Sequence, residues 1–100
     1  MKSIRVDFSK TLGQEPETGH NRWHSDIPPV IEVDPGEEVE IDTRDAFDGQ
    51  VTRATTPAEV GKLNLNLVHP LTGPVSIKGA EPGDLLEIET LEIQPKDFAY

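Results

Sequence analysis

Apolar and polar residues alternate along several short stretches of this chain, and proline or glycine stands between them. The stretches are SIRVDFS, PVIEV, EVEIDT, PVSIKG and LLEIETLEI, at residues 3–9, 29–33, 38–43, 74–79 and 85–93. An apolar residue at every second position is typical of a strand that buries one face. The pattern therefore predicts an all-β fold with little helix, an antiparallel β-sandwich or barrel.

One segment, residues 55–64, carries a helix signal. Thr56 belongs to the residue types that cap helix N-termini, and Pro57 follows at what would be the first helical position. Nine prolines and eight glycines interrupt the rest of the chain at short intervals. We expect no more than a single helical turn here.

The chain contains an internal repeat. VDPGEEVEIDT at 33–43 and AEPGDLLEIET at 80–90 align without a gap. Proline suits the second position of a tight turn and glycine the third, where φ is positive. Each copy, whether it arose by duplication or by convergence, predicts a P-G-acid turn followed by a strand. We expect four residues of these strands to face inward (Val39, Ile41, Leu86, Ile88) and four to face water (Glu40, Asp42, Glu87, Glu89).

Composition narrows the class of protein. One hundred residues are enough for a single domain, and the net charge of −10 disfavours nucleic acid and anionic membranes as partners. Cysteine is absent, which excludes disulfides, thiolate metal sites and a cysteine nucleophile. No signal-peptide core or membrane-spanning run is present, so we expect a cytoplasmic protein. The hydrophobic share, 34%, is low enough to predict burial against further protein.

Two histidines and a tryptophan form the first candidate site, HNRWH. His20 and His24 are four residues apart, which in an extended segment separates them by about 13 Å, too far to share a metal ion. Two interpretations stay open. Either the histidines donate hydrogen bonds to backbone around a loop held by Trp23, or all three residues line a pocket as polar groups beside an aromatic wall.

The second candidate site is the carboxylate-rich segment DAFDGQ, which follows a predicted strand. Asp45 and Asp48 are suited to binding a cation or to acting as a general base. The alternative is a turn organised by an aspartate, with Gly49 at positive φ. His69 forms a third candidate, and the proline after it favours an extended backbone. None of the common hydrolase or phosphate-binding motifs is present.

These pieces together resemble a known family. HNRWH, DAFDGQ and HPLTGPVSIKGAEPGDLLEIE occur in an order that is similar to the N-terminal part of the acetamidase/formamidase family, and most similar to its formamidase branch. The resemblance runs from about residue 4 to 95. It implies a β-rich, oligomeric enzyme that hydrolyses short aliphatic amides, here formamide to formate and ammonia. It also implies a divalent metal, zinc being the expected ion, that activates water.

The resemblance also implies roles for this chain. Family members are much longer, so residues 1–100 are expected to be a single β domain, the N-terminal part of a larger enzyme, and inactive alone. Its partners would be the remaining C-terminal chain, a small amide and further copies in a homo-oligomer. The main metal ligands are expected outside this chain, with Asp45 facing the metal from this side. The expected pocket residues are His20, Trp23, His24, Asp48, Gln50 and His69.

Two other functions remain open at this point. The chain could be a stand-alone, non-catalytic β module for binding or assembly that derives from the family. A copper-binding β-sandwich is a further alternative, but the chain lacks cysteine and has no close His-Cys-Met grouping. The formamidase type that uses a cysteine nucleophile is excluded.

Overall fold

The computed structural model describes all residues 1–100 as short strands joined by turns and loops. The strands form three pairs, β1 with β4 and β3 with β6 in parallel, and β2 with β5 antiparallel. Two short 3-10 helices lie between β1 and β2. The elements in chain order are β1 (Lys2–Ile4), the 3-10 helices (Leu12–Gln14 and Pro16–Thr18), β2 (Gly19–His20), β3 (Ile31–Val33), β4 (Val39–Ile41), α1 (Pro57–Val60), β5 (Leu71–Thr72) and β6 (Val75–Ile77).

The strand-rich, helix-poor prediction is confirmed, but the predicted strand direction is wrong. Two of the three pairs are parallel, and the two-stranded sheets do not close into a sandwich or barrel. Alternation in a sequence reports that one face of a strand is buried. It carries no information on the direction of the neighbouring strand. A parallel partner lies far away in the sequence, beyond a long connection, and so leaves no mark on the local pattern.

The predicted helical turn is confirmed. α1 begins at Pro57 after the N-cap Thr56 and is followed by Gly61. The carboxylate of Glu59 accepts hydrogen bonds from the Thr56 N–H at 3.2 Å and from its hydroxyl at 2.9 Å, which satisfies an otherwise unpaired donor at the helix start. No helix of the protein has the length and apolar composition that a membrane crossing requires.

Both turns of the internal repeat form in the same way. The Glu37 N–H donates to the Asp34 carbonyl at 3.1 Å, and the Asp34 N–H donates to the Glu37 carboxylate at 2.8 Å. In the second copy, Asp84 and Glu81 make the same two hydrogen bonds at 3.0 and 2.8 Å. The glycine of each turn has positive φ, 83° and 96°. The local sequence therefore specifies the turn twice.

The strands after the two turns differ. The first copy continues into β4, whereas residues 85–93 form no strand, contrary to the prediction, and have no backbone hydrogen bond to another segment. A strand exists only where a neighbour supplies the ladder, and every other strand of the chain is already paired.

The core is small, and the predicted inward residues are covered only in part. Ile4, Val6 and Val33 are the buried hydrophobic side chains, and Val39 is half-buried. Three further predicted inward positions are exposed: Ile41, Leu86 and Ile88. Of the predicted outward residues of the first copy, Glu40 is exposed but Asp42 is half-buried, because its carboxylate accepts the Val6 N–H at 3.1 Å. The predicted alternation is therefore wrong at Ile41 and Asp42. Burial needs a second layer, which these 100 residues supply only around β1 and β3.

Candidate functional site

An open cleft lies where the segment 19–28 faces the 3-10 helices. Its volume is about 660 Å³, and residues 66–67 close part of one side. Three of the six predicted pocket residues line it, His20, His24 and Asp48. The cleft is therefore the place where the candidate chemistry of this chain comes together.

His20 brings an unpaired polar atom to this cleft. Strand β2 positions it, because His20 lies opposite Leu71 of β5 in the ladder. The ring nitrogen Nδ1 is buried and has no hydrogen-bond partner. A buried nitrogen without a partner is costly, so His20 is the cleft residue whose hydrogen bonding is incomplete within this chain.

His24 and Trp23 lie on the exposed rim of the same segment. His24 Nδ1 accepts the backbone N–H of Asp26 at 3.1 Å. His24 is thus bonded to backbone, but as an acceptor and not as the predicted donor. Trp23 is 90% exposed and does not line the cleft. The indole is the most apolar group of this loop, and nothing in the chain covers it.

Asp48 is fixed at the cleft by a buried ionic network. The Arg44 guanidinium contacts Glu15 and lies 3.3 Å from the Asp48 carboxylate, and all three side chains are 10% exposed or less. Arg44 also donates to the Lys10 carbonyl at 2.7 Å, and Asp48 accepts the Leu12 N–H at 2.9 Å. The carboxylate is therefore held in one orientation and screened from solvent.

Sequence reasoning missed two members of this network, Glu15 and Arg44. Both carry charges in a chain with nineteen acids and nine bases, and nothing in their local context marks them as buried. The only available signal was the position of Arg44, directly between β4 and the DAFDGQ motif.

Asp45 organises a turn. Its carboxylate accepts the N–H groups of Phe47 and Gly49 at 2.9 and 2.8 Å and the Tyr100 hydroxyl at 2.5 Å. Gly49 has a φ of 82°. The alternative of an aspartate-organised turn is thus confirmed, and Asp45 lies outside the cleft.

The residues of this chain do not form a metal site by themselves. No three histidine, aspartate or glutamate side chains come close enough together to hold an ion. Both oxygens of Asp45 already accept hydrogen bonds, so a metal there would compete with them. The role of Asp45 as a ligand stays a prediction that depends on groups outside the chain.

Two further predicted pocket residues lie away from the cleft. Gln50 exchanges two hydrogen bonds with the backbone of Asn64, at 3.1 and 2.8 Å. His69 is exposed, and its N–H donates to the Ala46 carbonyl at 2.7 Å. Its φ is 59°, so the extended backbone predicted from the following proline is wrong, and this hydrogen bond accounts for the difference.

An aromatic group at residues 98–100 packs on the Asp45 turn. The Tyr100 ring lies 5.8 Å from Phe47 and 5.9 Å from Phe98 between centroids. Partial burial, the hydrogen bond to Asp45 and the charge of that carboxylate raise the pKa of Tyr100 to about 12.

The raised pKa predicts an alkaline loss of stability. Folding favours the protonated phenol, so its contribution is fully present below pH 10, the usual pKa, and is lost as the pH rises from 10 to about 12. Tyr100→Phe has no phenol to ionise. Thermal unfolding midpoints at pH 9 and at about pH 11.5 should therefore fall more for the natural protein than for Tyr100→Phe. Equal falls in both proteins would contradict the prediction.

Comparison with known proteins assigns the family. The model of the Acetamidase/Formamidase family matches residues 5–99. The chain belongs to this family. The motif resemblance is thereby confirmed, and this acetamidase/formamidase chain is part of a family of amide hydrolases.

Individual relatives agree. This acetamidase/formamidase chain is 42% identical over 90 residues to an acetamidase from Mycolicibacterium smegmatis. The alignment covers 90% of this chain and 22% of that protein. It is 36% identical over 94 residues to a formamidase from Methylophilus methylotrophus, covering 93% and 23%. A gamma lactamase from Delftia acidovorans has a similar structure, with a TM-score of 0.75 at 38% identity over 83% of this chain and 20% of that one. The chain therefore spans about one fifth of the length of its relatives.

Proposed function

We propose that this chain is the N-terminal β portion of an enzyme that hydrolyses formamide, or another short aliphatic amide, to an acid and ammonia. The observation that carries the proposal is the similarity to an acetamidase and a formamidase over nine tenths of the chain. The chain spans 22% and 23% of these relatives, so the activity belongs to the assembled enzyme and the chain alone is inactive.

The cleft supports a pocket that is completed by other protein. Its volume of about 660 Å³ far exceeds that of a formamide molecule, and one side of it is open. His20 and Asp48, whose carboxylate is held by Arg44, contribute an imidazole and a carboxylate to its lining. We propose that the rest of the enzyme covers Trp23 and closes the pocket, with His24, Gln50 and His69 at its margin.

The proposed cofactor is a divalent metal, zinc, held mainly by ligands outside these residues. Asp45 is the candidate ligand from this chain, and binding would displace the Tyr100 hydroxyl from its carboxylate. Such an ion polarises an amide carbonyl and lowers the pKa of a bound water. Assembly into a homo-oligomer and a cytoplasmic location are further proposals from the resemblance and the composition.

A single-polypeptide chimera tests the function. This chain replaces the matching 22% of the M. smegmatis acetamidase, and ammonia release from formamide and acetamide is measured. We expect turnover by the chimera and none by the 100-residue chain. His20→Ala should lower kcat/KM by about 10-fold or more, because a hydrogen bond to the substrate is lost, whereas Lys62→Ala, on the exposed surface, should not. A folded chimera that releases no ammonia would refute the proposal.

The alternative of a non-catalytic binding or assembly module predicts a stable protein of 11.0 kDa without any amide turnover in the chimera. The structure favours the enzyme portion, because side chains as large as Trp23, Leu85 and Ile88 are 83% exposed or more. A self-sufficient module would cover such groups.

A further inference from the structure

The internal repeat has a partnered copy and an unpartnered copy. In the first, β4 pairs in parallel with β1, with Ile41 opposite Ile4. The ladder continues through the N–H of Asp42, which donates to the Ile4 carbonyl at 3.0 Å. In the second, the same turn is followed by LLEIET, which forms no strand and pairs with no other segment. We name residues 86–90 of this copy the acceptor segment.

A basic residue joins the two strands of the partnered copy. Arg5, which follows β1, lies 2.9 Å from the Glu40 carboxylate and 3.2 Å from that of Asp42. The repeat aligns these acids with Glu87 and Glu89. Neither of those carboxylates has an ion-pair partner in this chain.

The apolar side chains of the acceptor segment are also uncovered. Leu86 is 50% exposed and Ile88 is 83% exposed. Their counterparts in the partnered copy are better covered: Val39 is half-buried and Ile41 is 37% exposed. The acceptor segment thus has unpaired backbone donors and acceptors beside exposed apolar side chains. A segment of this kind is suited to pairing with an added strand.

We propose that the acceptor segment binds a parallel β-strand from the part of the enzyme outside this chain, and that this strand places a basic side chain between Glu87 and Glu89. The family relatives supply the occupant, since 78% of the M. smegmatis acetamidase lies outside the matched region, 22% of it being covered. A second copy of this chain is a poorer partner. Its β1 is already paired with its own β4, and two copies would each carry a net charge of −10.

Co-expression of two polypeptides tests the proposal without relying on catalysis. The tagged 100-residue chain is produced together with the M. smegmatis acetamidase that lacks its matching 22%. We expect the two to purify as one complex. Within it, the backbone amides of Glu87 and Glu89 should exchange hydrogen about 100-fold more slowly than in the chain alone. They correspond to Glu40 and Asp42, and in the partnered copy the Asp42 N–H is the one that donates to β1.

Charge variants test the basic partner. Glu87→Gln with Glu89→Gln should weaken the complex by about 10-fold at low salt, and the difference from the natural chain should shrink at high salt. The matched control is Glu92→Gln with Asp97→Asn, which removes the same charge outside the repeat and should leave the affinity within about 2-fold. Leu86→Asp with Ile88→Asp should abolish the complex.

Several outcomes would overturn the proposal. One is a failure of the natural chain to form the complex. Others are a complex in which the amides of Glu87 and Glu89 remain unprotected, or equal affinities for the two charge-variant pairs. Pairing of this segment with a second copy of the chain would also overturn it. Binding and exchange are measured without substrate, so an inactive chimera refutes the proposed amide hydrolysis and leaves this result intact.

Discussion

Arg44→Leu is expected to lower the free energy of unfolding by about 3–5 kcal/mol, enough to unfold a domain with so small a core. The substitution leaves the Glu15 and Asp48 carboxylates without their counter-charge, although both side chains are 10% exposed or less. An uncompensated buried charge is far more costly than the loss of an exposed ion pair. The effect is measured by urea unfolding followed by circular dichroism.

Two further variants test whether the burial of the unpaired carboxylates causes the loss of stability. Arg5→Leu also removes two ion pairs, but the Arg5 side chain is 59% exposed, so its unfolding midpoint should change little. A triple variant, Arg44→Leu with Glu15→Gln and Asp48→Asn, removes the three charges of the network, and its amide oxygens can still accept the Asp7 and Leu12 N–H groups. It should recover much of the lost stability. An Arg44→Leu midpoint equal to that of Arg5→Leu would contradict the account of the buried network.

Gly19→Ala is expected to lower the free energy of unfolding by about 2–3 kcal/mol. A Cβ atom at this position would lie 2.2 Å from the Leu71 carbonyl oxygen and 3.3 Å from the Thr72 Cα. Both are backbone atoms of β5, the partner of β2, so no side-chain rotation relieves the overlap and the two strands must separate.

The matched control is Gly61→Ala, where the nearest atom is the Ala58 carbonyl oxygen at 3.8 Å and φ is −68°. That change should be neutral or slightly stabilising, because alanine restricts the unfolded chain without strain in the folded one. In the active chimera, Gly19→Ala should also lower kcat/KM for formamide, since separation of β2 displaces His20. Equal urea midpoints for the two alanine variants would show that β2 and β5 are not packed as described.

Prediction from sequence was most successful for structures that depend on interactions between residues close together in the chain. The helical turn at Pro57 and the two P-G-acid turns depend on residues within four positions of each other, and all three form as predicted. The aspartate-organised turn at Asp45 is equally local and was recognised as an alternative. The family was also recognisable from sequence, because its motifs are continuous in the chain.

The candidate site was only partly predictable. Sequence motifs selected His20, His24 and Asp48, which the fold brings to one cleft. The same motifs selected Trp23 and Gln50, whose side chains lie elsewhere. A motif shows which residues a family uses, but the direction of each side chain depends on the loop around it.

The sequence by itself determined the turns and the family of this protein, since each depends on short continuous stretches of residues. Only the tertiary structure decided which strands pair and in which direction, because partners distant in sequence leave no mark on the alternation. It alone placed Arg44 between two buried carboxylates. It also showed that two nearly identical strand sequences differ in outcome: β4 is a strand because β1 lies beside it, and residues 86–90 are not, because a strand needs a neighbour that these 100 residues do not provide.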